Sequence, residues 1–525
     1  MNKSDGHLRG VGLLFFGIVL ILSAGLCPLA QTQETPDKNA NAQQSPNEQQ
    51  QAKPDQPSTQ PHAQAQQGDS ADEHGEVKIT PRQAEELFHS VDEILEYDSK
   101  QTGLAIKHEV KRKLTSRDEV TSYLTKHLND EDTQRIRRSE LVLKKFGLLP
   151  RDFNLETFLV ALMREEIAGY YDPKTKTVNL LDWVPMEEQE PVMAHELTHA
   201  LQDQNVNLQK WMKRGERDIT EIKKDLTPED IENDEMDDAR EAVVEGQAQA
   251  IMFQYAIAPT GKSILDAPAL LESMEEETLT GTPSTKVFNE APIFMKESMT
   301  FPYSYGMEFI VKVMKAGGKE RAFEGVLKDP PHTTRQIMQP ETYLSGEKIA
   351  PMLLPDFKRD FKDYQKFDIG AMGEFDVAIL IEQYVDRPAS KRLCPDWRGG
   401  YYYAAHSKAD LNGPLGLLYV SRWSSADKAA EFAGIYADSL KQRYKHVSDT
   451  GGPEKDSPVI QNSDSPDKTL PSPLKGRHVW TTEEGTVVIE EKEDTVFVSE
   501  SLDPATTATL EKEVFATATL SSTPR

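Results

Sequence analysis

Pro191-Val192-Met193-Ala194-His195-Glu196-Leu197-Thr198-His199-Ala200-Leu201-Gln202-Asp203-Gln204 reads as one helix. Pro191 suits a first helical turn, Glu187, Glu188 and Glu190 precede it where the helix dipole favours negative charge, and Asn205 can end it. Residues four apart share a helix face, so His195 and His199 can turn both imidazoles to a single ion, with Glu196 beside it. That arrangement suits a catalytic zinc, Zn2+. It supplies two neutral nitrogens, needs a third protein ligand from elsewhere, and leaves a position for a water whose pKa falls to about 7. Glu196 is the natural general base for that water. Val192, Met193, Ala194, Leu197, Ala200 and Leu201 surround the histidines with apolar groups, as a helix half buried beneath a cleft requires.

The third ligand is sought in Asp237-Asp238-Ala239-Arg240-Glu241-Ala242-Val243-Val244-Glu245-Gly246-Gln247-Ala248-Gln249-Ala250, a helix opened by two aspartates. Ala239, Ala242, Val243, Gly246, Ala250 and Phe253 form its apolar stripe. Glu245 lies about 110° from the centre of that stripe and Glu241 about 150°. Glu245 is nearer the buried rim, and Gly246 beside it lets two helices approach closely. Glu241 stays open as the alternative, in which case Glu245 would orient a histidine.

The run His195-Glu196-Leu197-Thr198-His199-Ala200-Leu201-Gln202-Asp203-Gln204 resembles the active-site helix of gluzincin-type HExxH zinc metallopeptidases, the group that includes thermolysin. The resemblance implies a glutamate ligand on a second helix. Glu245-Gly246-Gln247-Ala248 is similar to the Glu-Gly-x-Ala segment that supplies it in the aminopeptidase branch. Residues 205–235, dense in Lys, Asp and Glu, read as a solvated helical insertion that separates the two helices by more than thermolysin-like enzymes do. Asp203 is a weaker candidate for orienting a histidine. Residues 169–181 read as a hairpin, and gluzincins resemble this order, with a sheet edge above the metal helix to which an extended peptide adds as a strand.

Further on, Phe301-Pro302-Tyr303-Ser304-Tyr305-Gly306 opens a helix that stops at Gly317-Gly318, and Pro330-Pro331-His332-Thr333-Thr334-Arg335-Gln336 follows. Together with the two helices, these segments resemble an uncharacterised family of exported bacterial and archaeal peptidases over roughly residues 166–344. A tyrosine or histidine beside the metal would stabilise a developing oxyanion, which makes Tyr303, Tyr305 and His332 the candidates.

The amino terminus points outward from the cell. Lys3 and Arg9 precede an apolar run over residues 11–26, so residues 1–30 read as a secretory signal peptide or a membrane anchor. Leu26 before Cys27 argues against lipid attachment. Residues 31–77 are a Gln- and Pro-rich linker with too little apolar surface to fold. Once the leader is gone only Cys394 remains, which excludes an internal disulfide. The chain has 525 residues, 37% hydrophobic content and a formal charge of -27, with a mean hydropathy of -0.59. That charge argues against nucleic acid as a partner.

The remainder divides into a mainly helical, zincin-like domain over residues 78–350 and a smaller α+β module over residues 367–525, an α+β class overall. Thr80-Pro81-Arg82-Gln83 is a capping box opening the first helix. In the module, residues 377–384, 401–405 and 415–423 read as strands and residues 429–444 as an amphipathic helix. Three short strands and a closing helix follow. The expectation is an exported zinc metallopeptidase acting on peptides or proteins. The competing expectation is an envelope protein with a zinc-stabilised, non-catalytic domain.

Overall fold

The computed structural model describes residues 18–20, 78–120, 122, 130–184, 186–212, 225–266, 286–450 and 470–521. The leader and the linker lie outside the described residues, apart from Ile18–Leu20. Among the described residues no helix is long and apolar enough to cross a membrane.

The fold is mixed α+β. Helix α1 (Pro81–Thr102) starts as its sequence predicts: Gln83 N–H donates to the Thr80 hydroxyl, and Thr80 N–H donates back to the Gln83 side chain at 2.9 Å. Gly103, at φ 79°, ends it in the left-handed conformation. Helices α2 (Asp130–Phe146) and α3 (Leu155–Glu166) follow. A small sheet then forms in the order β1-β3-β4-β2. Its hairpin is β3 (Ile167–Asp172) and β4 (Thr177–Leu181), flanked by β2 (Lys111–Thr115), parallel to β4, and β1 (Ile18–Leu20), antiparallel to β3.

Against this sheet packs α4 (Met186–Val206), and behind it come α5 (Met236–Ile257) and α6 (Ile293–Glu320). α5 packs against both α4 and α6, and α1 packs against α4. α4 begins five residues before Pro191, so that proline is interior and the glutamates occupy the first turns. The periodic apolar pattern begins only at Val192, which is why the sequence places the start too late. Similarly, α6 begins at Ile293, so Phe301-Pro302 lies inside it.

The expectation of a wholly solvated insertion over residues 205–235 is corrected. Leu208, Trp211 and Met212 are buried before residues 213–224, which lie outside the described residues, and Asp230, Asp234 and Glu235 are buried after them. The Trp211 indole donates to the Leu327 carbonyl at 2.8 Å, and the Arg240 guanidinium stacks on the Trp211 ring.

The second sheet has seven strands in the order β5-β6-β7-β11-β10-β9-β8, each pair antiparallel. They are β5 (Tyr364–Ala371), β6 (Trp397–Ser407), β7 (Gly416–Trp423), β8 (Val447–Asp449), β9 (Gly476–Thr482), β10 (Gly485–Lys492) and β11 (Thr495–Glu500). Helix α7 (Glu374–Tyr384) stands where residues 377–384 read as a strand. Every residue from Glu374 to Ile381 is buried, so neither a two-residue nor a 3.6-residue period shows in the sequence. Helices α8 (Ala426–Arg443) and α9 (Pro504–Ser521) cover opposite faces of the sheet. Val496 and Val498 of β11 join the core that holds Phe432 and Tyr436 of α8, whereas Phe497 between them joins Leu510 and Val514 of α9. A buried ion pair ties this sheet to the first half: Arg443 donates to Glu500 at 2.7 Å, and Lys145 of α2 lies 3.8 Å from the same carboxylate.

Candidate metal centre

Side chains from α4 and α5 converge where the helices pack. His195 and His199 point inward one turn apart, their ring centroids 4.7 Å apart and nearly perpendicular. Glu245 meets them from α5. One ligand atom from each of the three lies within 4.8 Å of the others. His195 Nε2 is 3.1 Å from Glu245 Oε2, and His199 Nε2 is 3.4 Å from the same oxygen. Ligand atoms around a tetrahedral zinc with bonds of about 2.0–2.1 Å stand about 3.3–3.4 Å apart. The donor set therefore has the spacing and chemistry of a metal site, and all three residues are at most 1% exposed.

Electrostatics favour the same reading. Burial pushes the His195 imidazole well below its ordinary pKa, despite the Glu245 hydrogen bond, so its nitrogen lone pair is available. Burial works against ionised Glu245 too, but the two histidines outweigh it and hold the carboxyl low. Burial likewise disfavours charge on His199, yet the Glu245 and Glu196 carboxylates prevail and raise it. A proton on His199 thus balances the Glu245 carboxylate, and a divalent ion held by the three residues would take that proton's place.

The structure brings Glu245 to the imidazoles; Glu241 is not in that group. Glu241 is buried, and burial followed by Asp238, Glu245 and Asp237 raises its pKa well above the ordinary carboxyl value. Gly246 does serve a close approach, but to α6. A Cβ there would come within 2.2 Å of the Gly306 carbonyl carbon, and one at Gly306 would meet the Ala242 carbonyl oxygen at 2.2 Å.

The residue orienting His199 is Gln202. Gln202 Oε1 is 2.9 Å from His199 Nδ1, while Gln202 Nε2 donates to the Val244 carbonyl at 3.0 Å and to Gln247 Oε1 at 2.9 Å. Gln247 Nε2 donates in turn to the carbonyls of Ala322 at 2.8 Å and Phe323 at 3.1 Å. Backbone carbonyls only accept, so they fix the Gln247 amide, which fixes Gln202. The oxygen of Gln202 therefore faces His199 and Nδ1 carries a hydrogen, so Nε2, which faces Glu245, is the nitrogen that would ligate once a metal displaces its proton. Asp203 instead accepts from the Tyr171 hydroxyl at 2.9 Å and from Lys176, which pins the β3–β4 hairpin to α4. The i+3 spacing of Gln202 from His199 was visible in the sequence, but the groups that fix its amide lie on α5 and at residues 322–323.

Glu196 is fully buried on α4. β3 runs along it, and a Cβ at Gly169 would lie 3.6 Å from Glu196 Cγ. Among the oxyanion candidates, the Tyr303 ring lies 6.2 Å from the His195 ring. Tyr305 is half-buried and packs on Phe301 at 5.3 Å. His332 is exposed and lines a separate cavity to which His195, His199 and Glu245 do not contribute. No protein-family model, no curated protein and no solved structure matches this chain.

Proposed function

We propose that this chain is an exported zinc-dependent metallopeptidase of the gluzincin type. One observation carries the reading: a buried pair of imidazoles and one carboxylate at metal-ligand spacing, with Glu196 adjacent and a sheet edge beside it. A zinc ion held by His195, His199 and Glu245 would supply Lewis acidity and lower the pKa of a bound water to about 7. Glu196 is the residue that would act as general base towards such a water and as proton donor to the leaving amine, and Tyr303, whose ring lies 6.2 Å from that of His195, is the candidate to stabilise the developing oxyanion.

The outer edge of β3 supports a peptide substrate. Ile18–Leu20 pairs there antiparallel, with Ile18 opposite Tyr170 and Val19 opposite Gly169, the residue that passes over Glu196. A substrate adding to the same edge would bring its backbone to the general base. Those three residues belong to the segment read as a leader, so its removal on export would free the edge.

The test is zinc content and cleavage of a mixed peptide pool, wild type against Glu196→Gln. Both proteins are expected to hold one zinc, with cleavage slowed about 100- to 10,000-fold in the variant. A zinc-loaded variant that cuts as fast as wild type overturns the mechanism.

A further inference from the structure

Two motifs that the metal centre leaves unexplained, Pro330-Pro331-His332-Thr333-Thr334-Arg335 and Asp396-Trp397-Arg398-Gly399-Gly400, meet across one cavity of about 610 Å³. The first follows α6 and the second opens β6, while the turn ahead of α5 closes the remaining wall. Cavities of about 300–1,000 Å³ are the usual size for small-molecule sites. Glu235 in that turn precedes Glu245 by ten residues, roughly 15 Å along the helix, so the cavity is a site of its own. The glycines let the chain pack closely along its wall. A Cβ at Gly399, where φ is +144°, would meet Met352 Sδ at 2.8 Å, and one at Gly400 would meet the Met372 carbonyl at 2.7 Å.

Its polar wall is unusual in charge. Arg335, 6% exposed, donates to Glu374 at 2.8 Å and to the Pro395 carbonyl at 2.9 Å. Arg398 donates to the same Pro395 carbonyl at 2.8 Å and to the Trp397 carbonyl at 2.7 Å. Two guanidiniums thus converge on one oxygen. Glu374 and Glu347 form ion pairs with Arg335, whereas the hydrogen bonds of Arg398 among the described residues run to backbone carbonyls, with Glu347, Asp396 and Glu374 acting on it at longer range. Burial, and then Arg335, push the Arg398 pKa down, partly opposed by Glu347, Asp396 and Glu374. The Trp397 indole N–H is buried and has no hydrogen-bond partner among the described residues. Ile231, Ile349 and Met352 give the cavity an apolar side.

We propose that this cavity binds the carboxy-terminal end of a peptide, its carboxylate held by Arg398 with the Trp397 N–H as second donor and its last apolar side chain among Ile231, Ile349 and Met352. A guanidinium fork matches a carboxylate. Glu232, Glu347 and Asp329 also line the cavity and disfavour a doubly charged phosphate. The site stands whether or not the metal centre is catalytic.

The experiment is calorimetric titration of the full chain, as purified and after chelation, with N-acetyl-dileucine, its carboxy-terminal amide and inorganic phosphate. The free acid is expected to bind in both forms, with the amide at least tenfold weaker and phosphate unable to displace the acid. Arg398→Gln should reduce the acid to the affinity of the amide. Ile349→Trp, which fills the cavity from a half-buried loop, should abolish binding of both. Equal binding of acid and amide, displacement by phosphate, loss of binding on chelation, or full binding by both variants would each overturn the proposal.

Discussion

Gln202 and His199 are joined through Oε1 and Nδ1 at 2.9 Å, and the amide that makes this contact is itself held from its other end by Gln247 and Val244. Many metal-binding histidines rest on a carboxylate; here a neutral amide, fixed by two further hydrogen-bonding steps, faces Nδ1 and keeps a hydrogen on it. Gln202→Ala is expected to weaken zinc binding about 10- to 100-fold. Competition with a chromogenic chelator measures this directly, and nuclear magnetic resonance of the imidazole nitrogens should show His199 losing its single tautomer.

The two glutamates of α5 should separate cleanly. Glu245→Gln removes a charged donor from the ligand set and is expected to lower zinc stoichiometry below one per chain. Glu241→Gln replaces a buried carboxyl whose pKa burial raises and which is not in the His195–His199–Glu245 group, so zinc content should remain that of wild type. Elemental analysis of both variants decides between them. Loss of metal in Glu241→Gln alone would reverse the assignment.

Gly246 sets how closely α5 and α6 pack, and it is the neighbour of Glu245. Gly246→Ala forces a methyl group into the Gly306 backbone. Overpacking of this kind costs about 1–3 kcal/mol, which for a chain of this size is a fall in Tm of several degrees. Because the strain is relieved by moving α5, zinc affinity should fall with it. Thermal unfolding with and without added zinc reads both effects.

Stability should depend on pH through Glu490 on β10 of the second sheet. Burial raises the Glu490 pKa to about 8, helped by a hydrogen bond and repulsion from Glu511, and only partly opposed by Arg477. A carboxyl whose folded pKa exceeds its unfolded value contributes stability that is complete below the unfolded value near 4.5 and is lost as pH rises through 8. Glu490→Gln cannot ionise, so its urea midpoint should fall less than that of wild type between pH 5 and 8. Parallel curves for the two proteins would remove Glu490 as the cause.

Arg443 and Glu500 show how far the two halves depend on each other. Their pair is buried, and both the Tyr436 hydroxyl, at 2.7 Å, and the Tyr444 hydroxyl donate to the same carboxylate. Nothing in the sequence linked a helix near residue 145 to a strand near residue 500, because side-chain periodicity reports only which face is buried and not against what.

What the sequence determined by itself was local. The HExxH spacing places two imidazoles on one face because a helix repeats every 3.6 residues, and Thr80 with Gln83 opens α1 because their side chains satisfy each other's backbone donors. The hairpin at residues 169–181 and the strands β9 to β11 follow from turn residues and two-residue alternation. Tertiary structure decided the rest. It brought Glu245 rather than Glu241 to the histidines and turned the Gln202 amide through contacts with α5 and residues 322–323. It also made residues 374–384 a helix in a setting buried on every side. These outcomes depend on which surfaces exclude water together, and that is a property of the packed chain rather than of any one stretch of it.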